Sequence, residues 1–391
     1  MYKNLEGKVT LTSDKKHRKH NKLPRAEVGN FGRSEIALVG AKCGAIQQLV
    51  RLVIEALSNK YNISYIDADH SSFDNPEKGD YLAQGAQMTA LDKQESYQIL
   101  KNDRLNSFDQ KMLFAQQDLV LVNGSHFEAK YQILFLDSTK AKSIQKRLNQ
   151  LTHVIAIVEV DQSQVVASVS EQISNLKELP RFSIDDEAGL IRFVGEWMAS
   201  RTPEIKALIL TGGKSQRMGV DKSTLMYDNQ RQLDRVTDVV GSLISDVYIS
   251  CMKGQVIETD YPIIVDLVDD MGPLGAIESA FRSFPNNAWL VVACDLPLLD
   301  KSVIEQLLSN RSVKHVATAF LNSETGFAEP LITIWEPKSY VRMKQFEALG
   351  YSCPRKVLIN SDTNLLTPND SGKLTNVNTP EEYRRVAKQM N

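Results

Sequence analysis

The sequence predicts an α/β protein built from two doubly wound domains. Two stretches of the 391-residue chain alternate short apolar strands with helical segments, and a polar, turn-rich joint around Pro203 separates them. This alternation is typical of parallel sheets with helices on both faces. A glycine-rich turn follows the first strand of each stretch, as expected where ligands bind beyond the carboxyl ends of the strands. We expect an amino-terminal P-loop-like domain and a carboxyl-terminal Rossmann-like domain.

The elements of the first stretch are predicted by its apolar runs. The predicted strands are EIALVG, ISYIDAD, DLVLVNG, YQILFLD and HVIAIVEV. A helix is expected from about Gly44 to Asn59, and the amphipathic segment EAGLIRFVGEWMAS predicts a closing helix. We place this domain at residues 35–201. Residues 1–34 are polar, carry the basic run KKHRKHNK and predict an extension.

The second stretch, residues 205–391, repeats the same alternation. Its predicted strands are IKALIL, VYISC, PIIVD, WLVVAC and VATAF. A helix is expected from about Arg231 to Asp246. Polar residues follow several of these strands, which predicts a ligand site at their carboxyl edge.

The composition excludes several classes of protein. Lysine plus arginine (46) nearly balances aspartate plus glutamate (48), so we expect neither nucleic acid nor an anionic membrane as the main partner. No apolar run is long enough to cross a bilayer. The four cysteines are far apart in the sequence and form no disulfide-type framework, which favours a reducing cytoplasm. The oligomeric state stays open.

The segment LTGGKSQRMGVDK, directly after the strand IKALIL, is the first candidate for chemistry. Gly212 and Gly213 permit a tight loop whose backbone N–H groups can approach phosphate oxygens. Arg217 and Lys222 add cations that can neutralise a triphosphate and the departing pyrophosphate. The glycines alone would equally fit an ordinary turn, but their combination with these cations favours a phosphate site.

Two aspartates extend this candidate site. Asp295, in ACDLP, ends a very apolar strand and is a suitable oxygen ligand for Mg²⁺. Asp266, in VDLVDDMGPLG, lies before a second glycine-containing turn and could touch a ribose or a metal. For each aspartate, a purely turn-forming role is the alternative.

These motifs resemble those of the molybdenum cofactor guanylyltransferases. LTGGKSQRMGVDK is similar to that family's LAGGxxxRMGxDK, VDLVDDMGPLGAI to its aspartate followed by GPLAG, and ACDLP to its CDxP. SCPRKVL and LTNVNTPEEY resemble two further segments of the family. The resemblance covers about residues 205–390, with the five motifs in the family's order.

The resemblance implies a nucleotidyltransferase that uses Mg²⁺ and GTP. The acceptor would be molybdopterin or its molybdenum-loaded form, and GMP would be transferred with release of pyrophosphate. The implied catalytic residues are Arg217, Lys222 and Asp295, with Asp295 as the metal ligand. The implied nucleotide-binding residues are Leu210, Gly212, Gly213, Arg217, Lys222, Ser250, Asp266 and Asp295. Asn376 and Asn378 are acceptor-side candidates, or else a polar turn before a last helix capped at Thr379.

Several residues depart from the family pattern. Thr211 replaces an alanine, Ser250 stands where an asparagine often faces the base, and Glu329 replaces a different polar residue. Transfer from another nucleotide such as CTP, a sugar phosphate acceptor, and a non-catalytic cofactor carrier therefore stay open. Molybdoenzymes or cofactor-insertion proteins are possible protein partners.

The first domain resembles the GTP-binding adaptor that accompanies the guanylyltransferase in molybdenum cofactor maturation. The segments that carry this resemblance are DADH, NPEKGDYLAQGAQMT and DLVLVNGSHF. Its loop reads GAKCGAIQQL from Gly40, without the P-loop lysine and hydroxyl. Lys42 lies too early to replace that lysine, and Asn123 replaces the family's glutamate. We expect a domain that has lost GTP hydrolysis and serves as a scaffold or as a platform that handles the cofactor. Cys43 is expected to be a small buried residue.

Overall fold

The computed structural model describes residues 31–68, 81–82, 84–161, 169, 171, 173–211, 222–268, 271–323 and 325–390. Of the expected amino-terminal extension, residues 1–30 lie outside this range, as do Asp69 and His70 of the DADH segment. The strands of the described residues form two large sheets, one in an amino-terminal half (residues 31–201) and one in a carboxyl-terminal half (residues 205–390). This confirms the predicted α/β class with two wound sheets.

The amino-terminal half contains a parallel sheet with strand order β2-β5-β1-β6-β7-β8. These strands are β1 (Ser34–Val39), β2 (Ile63–Ile66), β5 (Leu119–Asn123), β6 (Tyr131–Leu136), β7 (Val154–Glu159) and β8 (Arg181–Ser183). Its longer helices are α1 (Cys43–Leu57) and α4 (Glu187–Ala199), with the shorter α2 (Ser107–Leu113) and α3 (Ala141–Gln145). One apolar cluster lies between α1, α4 and the sheet, and a second cluster covers the other face. The sheet is therefore buried on both sides, as parallel sheets require.

A separate antiparallel hairpin is inserted between β2 and α2. Its strands are β3 (Met88–Asp92) and β4 (Tyr97–Lys101), which pair only with each other among the described residues. The sequence did not predict this hairpin, because its strands contain no continuous run of buried apolar residues.

The carboxyl-terminal half contains a sheet with strand order β13-β12-β9-β14-β16-β15-β17. These strands are β9 (Ile205–Leu210), β12 (Val247–Cys251), β13 (Ile263–Val265), β14 (Ala288–Ala293), β15 (Ala317–Leu321), β16 (Ala328–Trp335) and β17 (Thr363–Leu366). A small hairpin pairs β10 (Met226–Tyr227) with β11 (Gln230–Arg231). The helices are α5 (Gln232–Gly241), α6 (Gly272–Ser283), α7 (Lys301–Ser309), α8 (Ser339–Ala348), α9 (Pro354–Ile359) and α10 (Pro380–Met390).

Two features of this half differ from the sequence prediction. Strand β16 runs antiparallel to both β14 and β15, so the sheet is mixed. Helix α5 ends at Gly241 instead of continuing to Asp246, and Ser242 is its C-terminal cap residue. None of the helices in the described ranges is long and apolar enough to span a bilayer.

The two halves pack through the amino edges of their sheets. Asn62, directly before β2, donates its side-chain N–H to the Lys314 carbonyl, which lies shortly before β15, at 2.7 Å. Lys338 forms an ion pair with Asp118, the residue before β5, at 2.7 Å between Nζ and Oδ1. The Lys338 side chain is 4% exposed and that of Asp118 14% exposed. A buried, charged contact therefore fixes one half against the other.

This packing turns the two carboxyl edges away from each other. Strands of five or six residues are about 20 Å long, at roughly 3.3 Å per residue. The residues that follow the strands of one half consequently lie on the order of 40 Å from those that follow the strands of the other half. A ligand site at one carboxyl edge and a ligand site at the other therefore lie at opposite ends of the folded molecule.

Candidate active site

Six predicted site residues of the second half lie near the carboxyl edge of its sheet: Leu210, Lys222, Ser250, Asp266, Asp295 and Asn378. Leu210 at the end of β9 pairs with Ser250 on one side and with Ala293 on the other. This register places Asp266, which follows β13, and Asp295, which follows β14, on opposite sides of the loop after Leu210. The loop residues Gly212, Gly213 and Arg217 lie outside the described residues, so their predicted roles stay predictions.

Lys222 is the centre of a polar cluster. Its ammonium group donates to Asp295 Oδ2 at 3.0 Å and to Asn378 Oδ1 at 2.6 Å. The side chains of Lys222 and Asp295 are each 20% exposed, so the ion pair is largely shielded from water but still accessible to it. Three predicted residues, from three distant parts of the sequence, thus lie in direct contact.

The second oxygen of Asp295 is suited to a metal ion. Oδ1 is buried and has no hydrogen-bond partner among the described residues, while Oδ2 is held by Lys222. A buried, unsatisfied carboxylate oxygen is costly unless something binds it. Mg²⁺ commonly takes one or two protein carboxylates and completes its shell with water and substrate phosphates. The single free oxygen fits such a site, and no group of three or more His, Cys, Asp or Glu side chains in the described ranges is arranged to hold a metal alone.

The segment that carries Asn378 is fixed to Asp295 through the backbone. The Val377 amide donates to the Asp295 carbonyl at 3.0 Å. Glu382 accepts from the backbone amides of Asn378 and Thr379, and the Thr379 hydroxyl accepts from the Glu382 amide. This is a capping box, which starts α10 and lowers the pKa of Glu382 through those hydrogen bonds. The predicted cap at Thr379 is confirmed, and Asn378 reaches Lys222 in addition; Asn376 is exposed.

Ser250 and Asp266 form a second pair at the same edge. The Ser250 hydroxyl donates to Asp266 Oδ1 at 2.9 Å, and the Thr211 hydroxyl donates to the Ser250 carbonyl at 2.6 Å. Ser250 is 2% exposed, so its side chain orients Asp266 and has little surface of its own for a ligand. Asp266 is only half-buried.

The turn after Asp266 depends on two glycines. Gly272 has φ +57°, a left-handed conformation that glycine adopts without strain. At Gly275 a Cβ atom would lie 2.9 Å from the Cβ of Met271. The Ser279 hydroxyl of α6 accepts from the Leu267 amide, which ties this loop to the helix. The GPLG segment is therefore a structural turn that positions Asp266.

Two tyrosines were missed by the sequence reasoning. Tyr383 of α10 donates its hydroxyl to the Met226 carbonyl at 2.7 Å and packs edge-on against Tyr227, with ring centroids 5.1 Å apart. Tyr227 is 2% exposed and belongs to a small apolar cluster with Val377 and Val386. These contacts hold α10 on the β10–β11 hairpin, next to Lys222. The sequence feature that could have indicated Tyr383 is its position one helical turn after the Thr379 cap.

The carboxyl edge of the amino-terminal half has different chemistry. Asp67, directly after β2, accepts from the side chains of Gln47, Tyr65 and Asn123 and from the Ala68 amide, at 2.7–3.1 Å. Burial raises the pKa of Asp67, but these four hydrogen bonds outweigh burial and hold the pKa below its ordinary value. Both carboxylate oxygens are occupied by donors from the protein itself.

The loop that starts at Gly40 also lacks the side chains of a nucleotide-binding P-loop. Ile46 and Gln47 occupy the positions where a P-loop starting at Gly40 would place its lysine and hydroxyl. Ile46 is fully buried in the core, and the Gln47 side chain donates a hydrogen bond to Asp67. Lys42 is exposed. The expectation of a buried Cys43 was wrong: Cys43 is exposed at the first residue of α1, and its sulfur accepts from the Asn123 side chain at 3.6 Å.

Comparison with known proteins assigns the family. The profile of the "MobA-like NTP transferase domain" matches residues 207–363. The molybdenum cofactor guanylyltransferase of Pseudomonas putida is 32% identical over 196 residues, which cover 48% of this chain and 100% of that protein. The chain belongs to the molybdenum cofactor guanylyltransferase family. It is accordingly a nucleotidyltransferase.

A longer relative and a solved structure are also similar to parts of this chain. The "Molybdenum cofactor biosynthesis bifunctional protein" of Synechocystis is 32% identical over 195 residues, which are 49% of this chain. The chain spans only 56% of the length of that bifunctional relative. A solved MobB protein homolog from Bacillus stearothermophilus is 19% identical, covers 42% of this chain and 98% of its own, and has a TM-score of 0.31.

Proposed function

We propose that the chain transfers GMP from GTP to the terminal phosphate of molybdopterin or of its molybdenum-loaded form. The observation that supports this proposal best is the contact of Lys222 with both Asp295 and Asn378, while Asp295 Oδ1 has no hydrogen-bond partner among the described residues. The family assignment supports this class of substrates. We assign the reaction to the second half because the Asp67 carboxylate of the first half already accepts hydrogen bonds from the protein.

In the proposed reaction, an oxygen of the acceptor phosphate attacks the α-phosphorus of GTP. A new P–O bond forms, the bond between the α-phosphorus and the bridging oxygen breaks, and pyrophosphate leaves with the electron pair. No covalent intermediate with the protein is required, so the protein contributes positioning and charge neutralisation.

The described residues supply these contributions as follows. Asp295 would hold Mg²⁺ through Oδ1, and the ion would neutralise phosphate charge and orient the leaving group. Lys222 places a fixed ammonium next to the same phosphates and keeps the Asp295 carboxylate in one orientation. Asn378 holds Lys222 from the acceptor side, and Asp266, oriented by Ser250, would contact the nucleoside.

For the amino-terminal half we propose a scaffold without nucleotide turnover, at residues 35–201. Its support is the burial of Ile46 at the position of the P-loop lysine and the hydrogen-bonded state of Asp67, whose two carboxylate oxygens both accept from donors of the protein.

The direct test uses the purified full-length chain with Mg²⁺, molybdenum-loaded cofactor and each of the four nucleoside triphosphates. We expect pyrophosphate and the guanine dinucleotide form of the cofactor with GTP, and at least tenfold less product with the other three. Preferential use of CTP would refute the proposed nucleotide. Absence of product with every nucleotide, relative to a heat-treated control, would refute transferase activity on this acceptor.

A further inference from the structure

Glu329 lies at the carboxyl edge of the second sheet, on the strand next to the one that precedes Asp295. Strand β16 runs antiparallel to β14, and the last pair between these strands is Val292 with Ile332. Asp295 follows Val292 by three residues, and Glu329 precedes Ile332 by three residues. Both carboxylates therefore lie beyond this pair, at the same edge of the sheet.

A bulge in β16 alters the course of the chain at Glu329. The pairs Ala319–Thr333 and Leu321–Ala328 are two residues apart along β15 but five residues apart along β16. The Thr333 hydroxyl donates to the Glu329 carbonyl, a contact that residues four positions apart in a regular strand are too distant to make. Bulges next to active sites commonly re-aim a side chain. The bulge thus makes Glu329 a candidate for a contact with a substrate.

Two side chains hold the Glu329 carboxylate in one orientation. Asn322 donates its side-chain N–H to Oε1, and its side-chain oxygen accepts from the Thr325 amide at 2.8 Å, which fixes the Asn322 amide group. Nη2 of Arg355, on α9, lies 3.4 Å from Oε2 and offsets the negative charge. A carboxylate has about four acceptor positions. Because the Glu329 side chain is 14% exposed, it keeps the capacity to accept further hydrogen bonds from a ligand.

The strand order indicates which substrate Glu329 faces. In the order β13-β12-β9-β14-β16, Ser250 and Asp266 lie on one side of β14 and Glu329 lies on the other. This step rests on the proposed function, in which Asp266 contacts the nucleoside and Asp295 holds Mg²⁺ at the reacting phosphates. The nucleoside then occupies the β12–β13 side of Asp295, which leaves the β16 side for the acceptor.

We propose that Glu329 determines acceptor specificity by accepting hydrogen bonds from the 2-amino-4-oxopyrimidine ring of the acceptor's pterin. That ring carries a ring N–H and an amino group side by side, and the two oxygens of a carboxylate match two such parallel donors. A carboxylate repels a phosphate, so Glu329 recognises the pterin of the acceptor and not its phosphate.

Exposed aromatic side chains close to Glu329 and Arg355 in the sequence suit the same planar ring system. Phe327, two residues before Glu329, is 48% exposed. Tyr351, four residues before Arg355, is 44% exposed, and the Lys356 ammonium lies 4.7 Å from the centre of its ring. Aromatic rings of this kind stack on planar heterocycles. The acceptor side thus combines a carboxylate for the edge of the pterin with rings for its faces.

The first test compares initial rates of GMP transfer by the full-length wild type and Glu329→Gln. GTP and the molybdenum-loaded cofactor are varied separately. We expect KM for the cofactor to rise about tenfold, because a charged acceptor is lost, with KM for GTP and kcat within about twofold of the wild type. Glutamine keeps the volume of the side chain and an oxygen for Asn322, so the bulge should stay intact.

The second test identifies the ring edge without turnover. Pterin and lumazine, which has an oxo group in place of the amino group, are titrated against the full-length chain by calorimetry. Saturating GTP and Mg²⁺ keep the nucleotide site filled. We expect the wild type to bind pterin about tenfold more tightly than lumazine, and Glu329→Gln to bind both equally.

Glu347→Gln is the matched control, because Glu347 is a partly exposed carboxylate of the same half that pairs with Lys344 within α8. It should leave the kinetic constants and the preference for pterin unchanged. A Glu329→Gln protein with the wild-type KM for the cofactor would overturn the proposal, as would equal binding of pterin and lumazine by the wild type. A wild type that forms no product would contradict the proposed function instead, and the titration would still decide the role of Glu329.

Discussion

Asp67 and Asp295 occupy comparable places in the two halves, each after a strand at the carboxyl edge, and their surroundings are opposite. Asp67 accepts four hydrogen bonds from its own half, whereas Asp295 accepts from Lys222 on one oxygen and has no partner on the other in the described part of the chain. A carboxylate that is already saturated gains little from a metal ion, and one with a buried free oxygen gains much. Local hydrogen bonding therefore distinguishes a structural aspartate from a ligand.

Lys222→Met tests the cation of the proposed site. We expect kcat for GMP transfer to fall about 100-fold, because one fixed charge next to the phosphates is lost. Lys42→Met is the matched control, since Lys42 is exposed in the corresponding loop of the first half and should leave both transfer and GTP affinity unchanged. A Lys42→Met variant that loses GTP binding would show that the first half does bind nucleotide.

Ser250→Ala tests whether Asp266 contacts the nucleotide. The Ser250 hydroxyl holds Oδ1 of Asp266, and a hydrogen bond to a charged group contributes about 1.5–3 kcal/mol. We expect KM for GTP to rise about tenfold with kcat nearly unchanged, measured by initial rates of pyrophosphate release. A fall in kcat at constant KM would instead place Asp266 in the chemical step.

At the scale of elements, the sequence predicted the buried strands and the residues that follow them. IKALIL, VYISC and WLVVAC became β9, β12 and β14, and their register explains why Asp266 and Asp295 reach one edge. Lys222 was a candidate from its own glycine-rich segment, whereas Asn378 could be listed only from the family resemblance, because no local pattern shows that residues 156 positions apart are in contact.

Other elements could not be predicted from apolar patterns. β16 is largely buried on both faces, so its burial pattern does not distinguish an antiparallel from a parallel strand. The β3–β4 hairpin is exposed throughout, and its residues show no buried face. The hydrogen bonds of Asp67 also depend on side chains from α1, β2 and β5, which only the folded sheet brings together.

Helix α10 is expected to keep the acceptor side in place through Tyr383. Tyr383→Ala removes both the hydrogen bond to the Met226 carbonyl and the packing on Tyr227, which together contribute about 2 kcal/mol. We expect kcat/KM for the cofactor to fall about tenfold, with faster amide exchange in α10. Tyr383→Phe keeps the ring and should stay within about threefold of the wild type; equal losses in both variants would contradict the packing argument.

At the scale of the whole molecule, the buried ion pair between the halves makes stability depend on pH. Burial raises the pKa of Asp118 to about 6, although Lys338 opposes that rise. Because the pKa is higher in the folded chain than in the unfolded chain, the Asp118 contribution to stability becomes more favourable as pH falls from 7 through 6.

Lys338→Met should expose this dependence. The variant leaves the Asp118 carboxylate buried without its partner at pH 7.5, at a cost of about 3–5 kcal/mol in unfolding free energy. At pH 5 the carboxylate is protonated and the loss should be much smaller; urea unfolding at both pH values measures it. Lys314→Met is the control from the same interface, because its ammonium contacts only the Ser58 carbonyl among the described residues. A loss for Lys338→Met that is equal at both pH values would contradict the role of Asp118.

The opposed carboxyl edges imply that the transferase site works without the edge that carries Asp67. The most direct test is the Mg²⁺ dependence of GMP transfer in three full-length proteins: wild type, Asp295→Asn and Asp67→Asn. We predict that Asp295→Asn lowers the rate at least 100-fold and raises the Mg²⁺ concentration needed for half-maximal activity, while Asp67→Asn follows the wild-type curve. An Asp295→Asn protein with the wild-type Mg²⁺ curve, or an Asp67→Asn protein that loses transfer while still folded, would contradict the account.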